Sequence, residues 1–250
     1  MKKIAIYGKG GIGKSTVVSN ISTALAELGL LVMQIGCDPK ADSTRNLTNG
    51  KNIPTVLDCL RDKGDITLSD IVFKNNNGIL CVESGGPVPG TGCAGRGIIT
   101  AFEKLEELGA YDYYKHDVIF YDVLGDVVCG GFAMPIREGY AKEVCIVTSG
   151  EMMSLYAAAN ISHAVNSFGP RGYASLKGLI FNAKNIEGEE MLVEKTAAEI
   201  GTDIICRLPR DQQIQAAEVL GKTVVEAFPD CEISNCFRAL ARKLIEDAKV

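Results

Sequence analysis

Residues 8–16 read Gly8-Lys9-Gly10-Gly11-Ile12-Gly13-Lys14-Ser15-Thr16, and the apolar run Ile4-Ala5-Ile6-Tyr7 stands directly before them. Gly8, Gly13, Lys14 and Ser15 meet the pattern G-x-x-x-x-G-K-[ST]. A glycine-rich loop between a short strand and a helix, here expected from Thr16 to Leu28, turns its backbone N–H groups inward around phosphates. Gly10, Gly11, Ile12 and Gly13 supply that backbone, Lys14 reaches the β and γ oxygens, and Ser15 takes Mg²⁺. The stretch therefore predicts a nucleotide site at the carboxyl end of a first strand.

Working outward, apolar or β-branched runs recur at 3–7, 31–36, 79–83, 117–121, 143–148, 176–182 and 203–207. Helical periodicity fills the gaps, for example over 98–108 and 152–168. Strands apolar on both faces and separated by helices predict a doubly wound, mainly parallel α/β sheet flanked by helices, with ligands beyond the strands' carboxyl ends. No repeat, linker or low-complexity tract interrupts the chain, so residues 1–250 are expected to be a single domain. The last segment, from Ile233 to Ala248, carries Phe237, Leu240, Ala241, Leu244, Ile245 and Ala248 on one helical face. Its mixed charges favour packing on the sheet over a membrane surface.

Lys9 is a second lysine inside the loop. At the tip, its side chain is poorly placed to fold back onto the nucleotide its own loop holds. The loop resembles that of the deviant, signature-lysine P-loop ATPases, in which this lysine reaches phosphates bound by a facing subunit. That resemblance implies a dimer closing around ATP.

Composition narrows the class. The 250 residues are 46% hydrophobic and 23% charged, with a net charge of −5 and no basic block, so no nucleic-acid partner is expected. The amino terminus runs straight into the first strand, leaving no room for a signal peptide, and no apolar stretch reaches about 18 residues. A cytoplasmic location and no membrane partner follow as expectations. Nine cysteines in such a chain point to buried thiols or metal ligands more than to disulfides.

Two aspartates follow strand runs. Asp38, in Cys37-Asp38-Pro39-Lys40-Ala41-Asp42-Ser43-Thr44, is placed to orient the attacking water. Asp122, ending Val118-Ile119-Phe120-Tyr121, is placed to hold Mg²⁺ through water, with Asp126 on the same turn.

The cysteines fall into groups. Cys37, Cys81, Cys145 and Cys206 lie in or beside strand runs and read as small buried hydrophobes. Cys59 reads as helical and structural, and Cys231 with Cys236 forms a C-x₄-C pair before the last helix. Cys93 and Cys129 differ, with glycine on both sides of Cys93 and after Cys129. Each is expected to precede a helix, a setting that suits thiolates bound to a polynuclear anion. A [4Fe–4S] cube needs four thiolates, and two identical chains would supply them by sharing one cluster on a twofold axis. Seven residues separate Asp122 from Cys129, at most roughly 24 Å when extended, so this short loop, with Gly125 as a pivot, would feel both the γ-phosphate and the cluster.

The loop with Lys9, the Asp38–Thr44 segment, Cys-Val-Glu-Ser-Gly-Gly-Pro from Cys81, Gly-Cys-Ala-Gly-Arg-Gly from Gly92 and the block from Tyr121 to Arg137 together resemble the nitrogenase iron protein family. The resemblance runs from residue 1 to about 245. It implies a homodimer with one [4Fe–4S] cluster held by Cys93 and Cys129 of both subunits, hydrolysing MgATP to MgADP. It also implies delivery of single electrons from a ferredoxin or flavodoxin type donor to a larger catalytic component. Carried onto this chain, Lys9, Lys14, Ser15 and Thr16 handle phosphates and Mg²⁺. Asp38 and Asp42, with Lys40 beside them, form a first switch, and Asp122 to Asp126 a second. Asn182, Pro209, Arg210 and Asp211 resemble adenine-side contacts. Arg96 resembles the docking arginine that some members regulate by ADP-ribosylation.

Three features depart from the family pattern: the chain ends at Val250 where nitrogen-fixing members usually continue, Asn46–Ile53 is short, and Ala183-Lys184 stands where Ser-Arg is expected. Nitrogenase-like systems that reduce tetrapyrroles, a nickel tetrapyrrole or thioethers use similar iron proteins and are the alternative partners. Two further classes stay open on sequence: a positioning ATPase, which shares Lys9 but has no use for Cys93 and Cys129, and an ATPase that delivers a metal or cluster.

Overall fold

The structure, a computed structural model, describes residues 1–88, 94–125, 133–168 and 174–246. The expectations for Cys93, Cys129 and Asp126 lie outside these residues.

The seven apolar runs form seven strands: β1 (Lys2–Tyr7), β2 (Val32–Cys37), β4 (Leu80–Glu83), β5 (Val118–Val123), β6 (Glu143–Thr148), β7 (Ser175–Asn182) and β8 (Ile204–Leu208). An eighth, β3 (Phe73–Lys74), pairs antiparallel with β4 at the sheet edge. The order is β3-β4-β2-β5-β1-β6-β7-β8, and every pair except β3 with β4 is parallel. This is the doubly wound arrangement the alternation predicts.

Central strands are buried on both faces. Along β1, Ala5 and Tyr7 enter one hydrophobic cluster while Ile4 and Ile6 enter the other. The Ile4 face is covered by α1 (Lys14–Glu27), α9 (Gln212–Val219), α10 (Val224–Ala227) and α11 (Glu232–Glu246). The opposite face is covered by α2 (Val56–Lys63), α3 (Leu68–Ile71), α4 (Ala94–Glu107), α5 (Ala110–Tyr113), α6 (Met134–Arg137), α7 (Met152–Phe168) and α8 (Glu189–Glu199). In α11, Phe237, Leu240, Ala241 and Leu244 are buried against α1 and β8, so its apolar stripe belongs to the core.

Cys37, Cys81 and Cys145 are fully buried in the sheet and Cys59 is buried on α2. Cys206 is only partly buried, because β8 is an edge strand with one neighbour. The carboxyl ends of β1, β2, β4, β5, β6, β7 and β8 all open on one edge of the sheet, where the site lies.

Candidate functional site

Three glycines bend the loop after β1. Gly8, Gly11 and Gly13 have φ of 146°, 75° and 100°, a region that side chains avoid. At Gly8 a Cβ would also lie 2.2 Å from the Val147 carbonyl oxygen, so only glycine brings the loop this close to β6. The Lys14 ammonium, buried, donates to the carbonyl oxygens of Gly8 at 2.9 Å and Lys9 at 3.2 Å, lying across the loop where phosphate oxygens would come. Asn182, at the end of β7, donates to the Ile12 carbonyl at 2.7 Å and closes the loop from the other side.

A cavity of about 250 Å³ opens in front of this loop, lined by Gly10, Gly11, Gly13, Lys14, Ser15, Thr16, Asp38, Lys40, Asp42 and Asp122, with Val123 and Leu124. Lys14, Ser15, Thr16, Asp38, Lys40, Asp42 and Asp122 thus meet in one place. Lys9 is half-buried and is not part of this lining. Gly125, with φ of 70°, occupies the left-handed region directly after Leu124.

Buried polar contacts order the two acidic segments. Asp38 Oδ1 accepts the Lys40 N–H at 2.9 Å, and the Ala41 N–H bonds to the Asp38 carbonyl at 3.0 Å, which makes a tight turn. The loop then returns to the sheet through Ser43, whose hydroxyl donates to Asp122 Oδ2 at 2.6 Å. Gln34 of β2, fully buried, donates to the Ser43 carbonyl at 2.9 Å. Burial pushes the Asp122 carboxyl up, opposed by hydrogen bonds from Ser15 and Ser43 and by the nearby Lys14 ammonium. A divalent cation beside Ser15 would offset that burial cost, so the donor set fits Mg²⁺.

Glu83, Ser43 and Gln34 hold the site's acidic loop in place, a role the motifs around Ser43 and Glu83 do not reveal. Glu83 ends β4 and accepts both the backbone N–H and the hydroxyl of Thr44 at 2.7 Å. Burial pushes its carboxyl up to about 8 against those two hydrogen bonds, with Asp122 and Asp42 adding to the rise. Its sequence signals are an acid at a strand's carboxyl end and its place in the Cys-Val-Glu-Ser-Gly-Gly-Pro block, neither of which assigns it a role.

A second hollow of about 790 Å³ continues past Ser15, Thr16 and Asp42 to Gln215, Glu218 and Gly221. There the Thr16 hydroxyl donates to Glu218 Oε1 at 2.8 Å. Of the expected adenine-side residues, Asn182 touches the phosphate loop. Pro209, Arg210 and Asp211 follow β8 at the neighbouring strand end, and Asp211 caps α9 by accepting the Gln213 N–H at 2.7 Å. None of these three lines either hollow.

Three strand cysteines are poor thiolate candidates. Burial pushes the thiols of Cys81 and Cys145 up to about 12 and that of Cys206 up to about 11, which keeps them protonated. Among the described residues, no three His, Cys, Asp or Glu side chains are grouped to hold a metal ion. Helix α4 begins at Ala94, the residue after Cys93, and Arg96 is exposed in its first turn.

Fold and site define a P-loop ATPase of the doubly wound, signature-lysine class. The solved cell division ATPase MinD of Pyrococcus furiosus superimposes with a TM-score of 0.76 at 20% identity, covering 99% of each chain. The septum site-determining protein MinD of Pyrococcus horikoshii, complexed with Mg-ADP, gives 0.77 at 24% identity, covering 99% of this chain and 97% of that one. At those identities the likeness is one of fold. Over residues 2–250 the chain matches the 4Fe-4S iron sulfur cluster binding proteins, NifH/frxC family, and it belongs to that family. It is 55% identical over 249 residues to the nitrogenase iron protein of Methanospirillum hungatei JF-1, covering 98% of this chain and 88% of that protein. The chain is thus an ATP-hydrolysing reductase component of the nitrogenase type, using a [4Fe–4S] cluster and MgATP, and works as a homodimer with a catalytic component.

Proposed function

We propose that residues 1–250 form one ATPase and iron–sulfur domain, two copies of which pass single low-potential electrons to the catalytic component of a nitrogenase, one for each docking. The observation that carries this reading is the convergence of Lys14, Ser15, Asp38 and Asp122 on a single cavity, with Asp122 on the chain that runs on to Cys129. Lys14 neutralises the β and γ oxygens, Asp38 orients the attacking water, and Ser15 with Asp122 holds Mg²⁺. Lys9, outside the lining of its own cavity, reaches the nucleotide of the facing subunit. Exposed Met152, Met153 and Tyr156, which follow the carboxyl end of β6, give that facing pair an apolar surface to bury.

Cys93 and Cys129 of both subunits hold the cluster, which when bound supplies one-electron chemistry at low potential. The chain's own part is to link nucleotide to cluster. Loss of the γ-phosphate releases Asp122, and the short segment through Gly125 and Asp126 relaxes toward Cys129. Arg96, exposed and three residues after Cys93 in sequence, contacts the catalytic component and is open to ADP-ribosylation. A ferredoxin or flavodoxin type donor and a cytoplasmic setting complete the reading. Among the described residues, no helix is long and apolar enough to cross a membrane.

The Methanospirillum relative favours nitrogenase over the tetrapyrrole and thioether systems, and family membership sets the positioning ATPases aside. The test is Asp122→Asn in the anaerobically purified dimer. The variant is expected to bind ATP while its cluster spectrum no longer responds to it; a full response would overturn the link.

A further inference from the structure

Two strands flank β2, and the loop that leaves β2 comes back to a carboxyl on each of them. Ser43 gives its hydroxyl to Asp122 on β5, and Thr44 gives two donors to Oε1 of Glu83 on β4. Glu83 is fully buried and reaches Thr44 across bare backbone: a Cβ on Gly36 would lie 2.0 Å from Glu83 Oε2 and 2.7 Å from the Ser43 Cβ. The same loop touches the chain beyond β4, because a Cβ on Gly86 would meet the Pro39 Cβ at 2.5 Å. Glu83 and Gly86 lie on the one run of chain that leads to Cys93. Glu83 does not line the phosphate cavity, so it acts on the nucleotide only through what it holds.

We infer that Glu83 is a positioning residue for ATP hydrolysis: through Thr44 it fixes the returning end of the Asp38–Asp42 loop and ties that loop to the chain leading to Cys93. The physical basis is the lack of slack. Cys37 is locked in β2 and Thr44 is locked to Glu83, so the few residues between them point Asp38 into the cavity only while both ends are fixed. Removing the acceptor would leave the Thr44 N–H buried without a partner, and the loop would shift to rehydrate it. Glutamine keeps an oxygen that can accept both Thr44 donors, so it tests the acceptor apart from the charge.

The test compares Glu83→Ala and Glu83→Gln in the anaerobically purified full chain. ATP turnover is measured with the catalytic component, and amide exchange over residues 38–44 is measured without nucleotide. For Glu83→Ala, kcat is expected to fall about ten- to hundredfold with the KM for ATP within about threefold, and Thr44 exchange to rise about tenfold. Glu83→Gln is expected to bring both within about twofold of the parent. A parental kcat in Glu83→Ala, or a Glu83→Gln as impaired as Glu83→Ala, would overturn the assignment. Should Glu83→Ala fail to fold, Thr44→Val, which keeps the N–H and drops the hydroxyl, is expected to lower kcat about three- to tenfold. A parental kcat in that variant would count equally against it.

Discussion

The hydroxyl of Ser43 donates to Oδ2 of Asp122 at 2.6 Å, and this bond joins the two acidic segments that flank the phosphate cavity. Ser43 follows Asp42 in the loop after β2, while Asp122 stands near the end of β5 and leads toward Gly125.

Ser43→Ala should therefore loosen both at once. It leaves Asp122 buried with one donor fewer, at a cost of about 1–3 kcal/mol in whichever state relied on the bond. We expect Tm to fall and ATP turnover to drop about tenfold, with nucleotide affinity reduced less than turnover. Calorimetry and steady-state kinetics on the same preparation check this, and unchanged turnover would show that the two segments act independently.

The two loop lysines should separate cleanly. Lys14, already buried against the Gly8 and Lys9 carbonyls, is expected on mutation to Met to weaken MgATP binding about ten- to hundredfold or more, because a charge-assisted contact is lost. On the proposed reading, in which Lys9 serves the phosphates of the facing copy, Lys9→Ala should leave binding nearly intact and abolish turnover. Equilibrium binding beside turnover distinguishes the pair. A Lys9→Ala that loses affinity as Lys14→Met does would place Lys9 on its own nucleotide.

Glu83 gives a pH signature with a definite sign. Its ordinary value is 4.5 and its folded value about 8, so between these the folded chain keeps a proton that the unfolded chain has released. Stability from this group is fully present below 4.5 and declines as pH rises toward about 8. Glu83→Gln, which cannot ionise, should flatten that decline. Urea denaturation midpoints from pH 5 to 8 would show it, and an equally steep decline in the variant would mean the slope comes from other groups.

His116 carries the opposite sign. Burial depresses its imidazole from 6.5 to about 4, so its contribution is lost as pH falls through that interval. The two intervals overlap between 4.5 and 6.5, where the slopes oppose each other, so the Glu83 decline is read cleanly between 6.5 and 8.

Much of this was legible in the sequence because the signals were local. Seven strands announced themselves as apolar runs, the central ones being buried on both faces, and the phosphate loop is nine consecutive residues whose glycines, lysine and serine stand at fixed spacing. The strand Phe73–Lys74 was missed, being two residues long and too short to show a period. Cys206 read like the other strand cysteines, yet its strand lies at an edge and its thiol is only partly covered. The polar clamp was the real gap. Thr44 and Glu83 stand 39 residues apart, and Ser43 and Asp122 stand 79 apart, so only the register of β4, β2 and β5 brings them together. Gly36 carries no sequence signal of its own, since its need for bare backbone comes from the Glu83 carboxyl lying against it.

The account rests on a cluster bridging two copies of the chain, and iron, acid-labile sulfide and molar mass determined together under strict anaerobiosis test it most directly. A dimer holding one [4Fe–4S] cluster is expected for the parent, with Cys93→Ala and Cys129→Ala each free of iron and sulfide while still binding MgATP. A monomer without sulfide after reconstitution, or either variant with its full iron content, would contradict it.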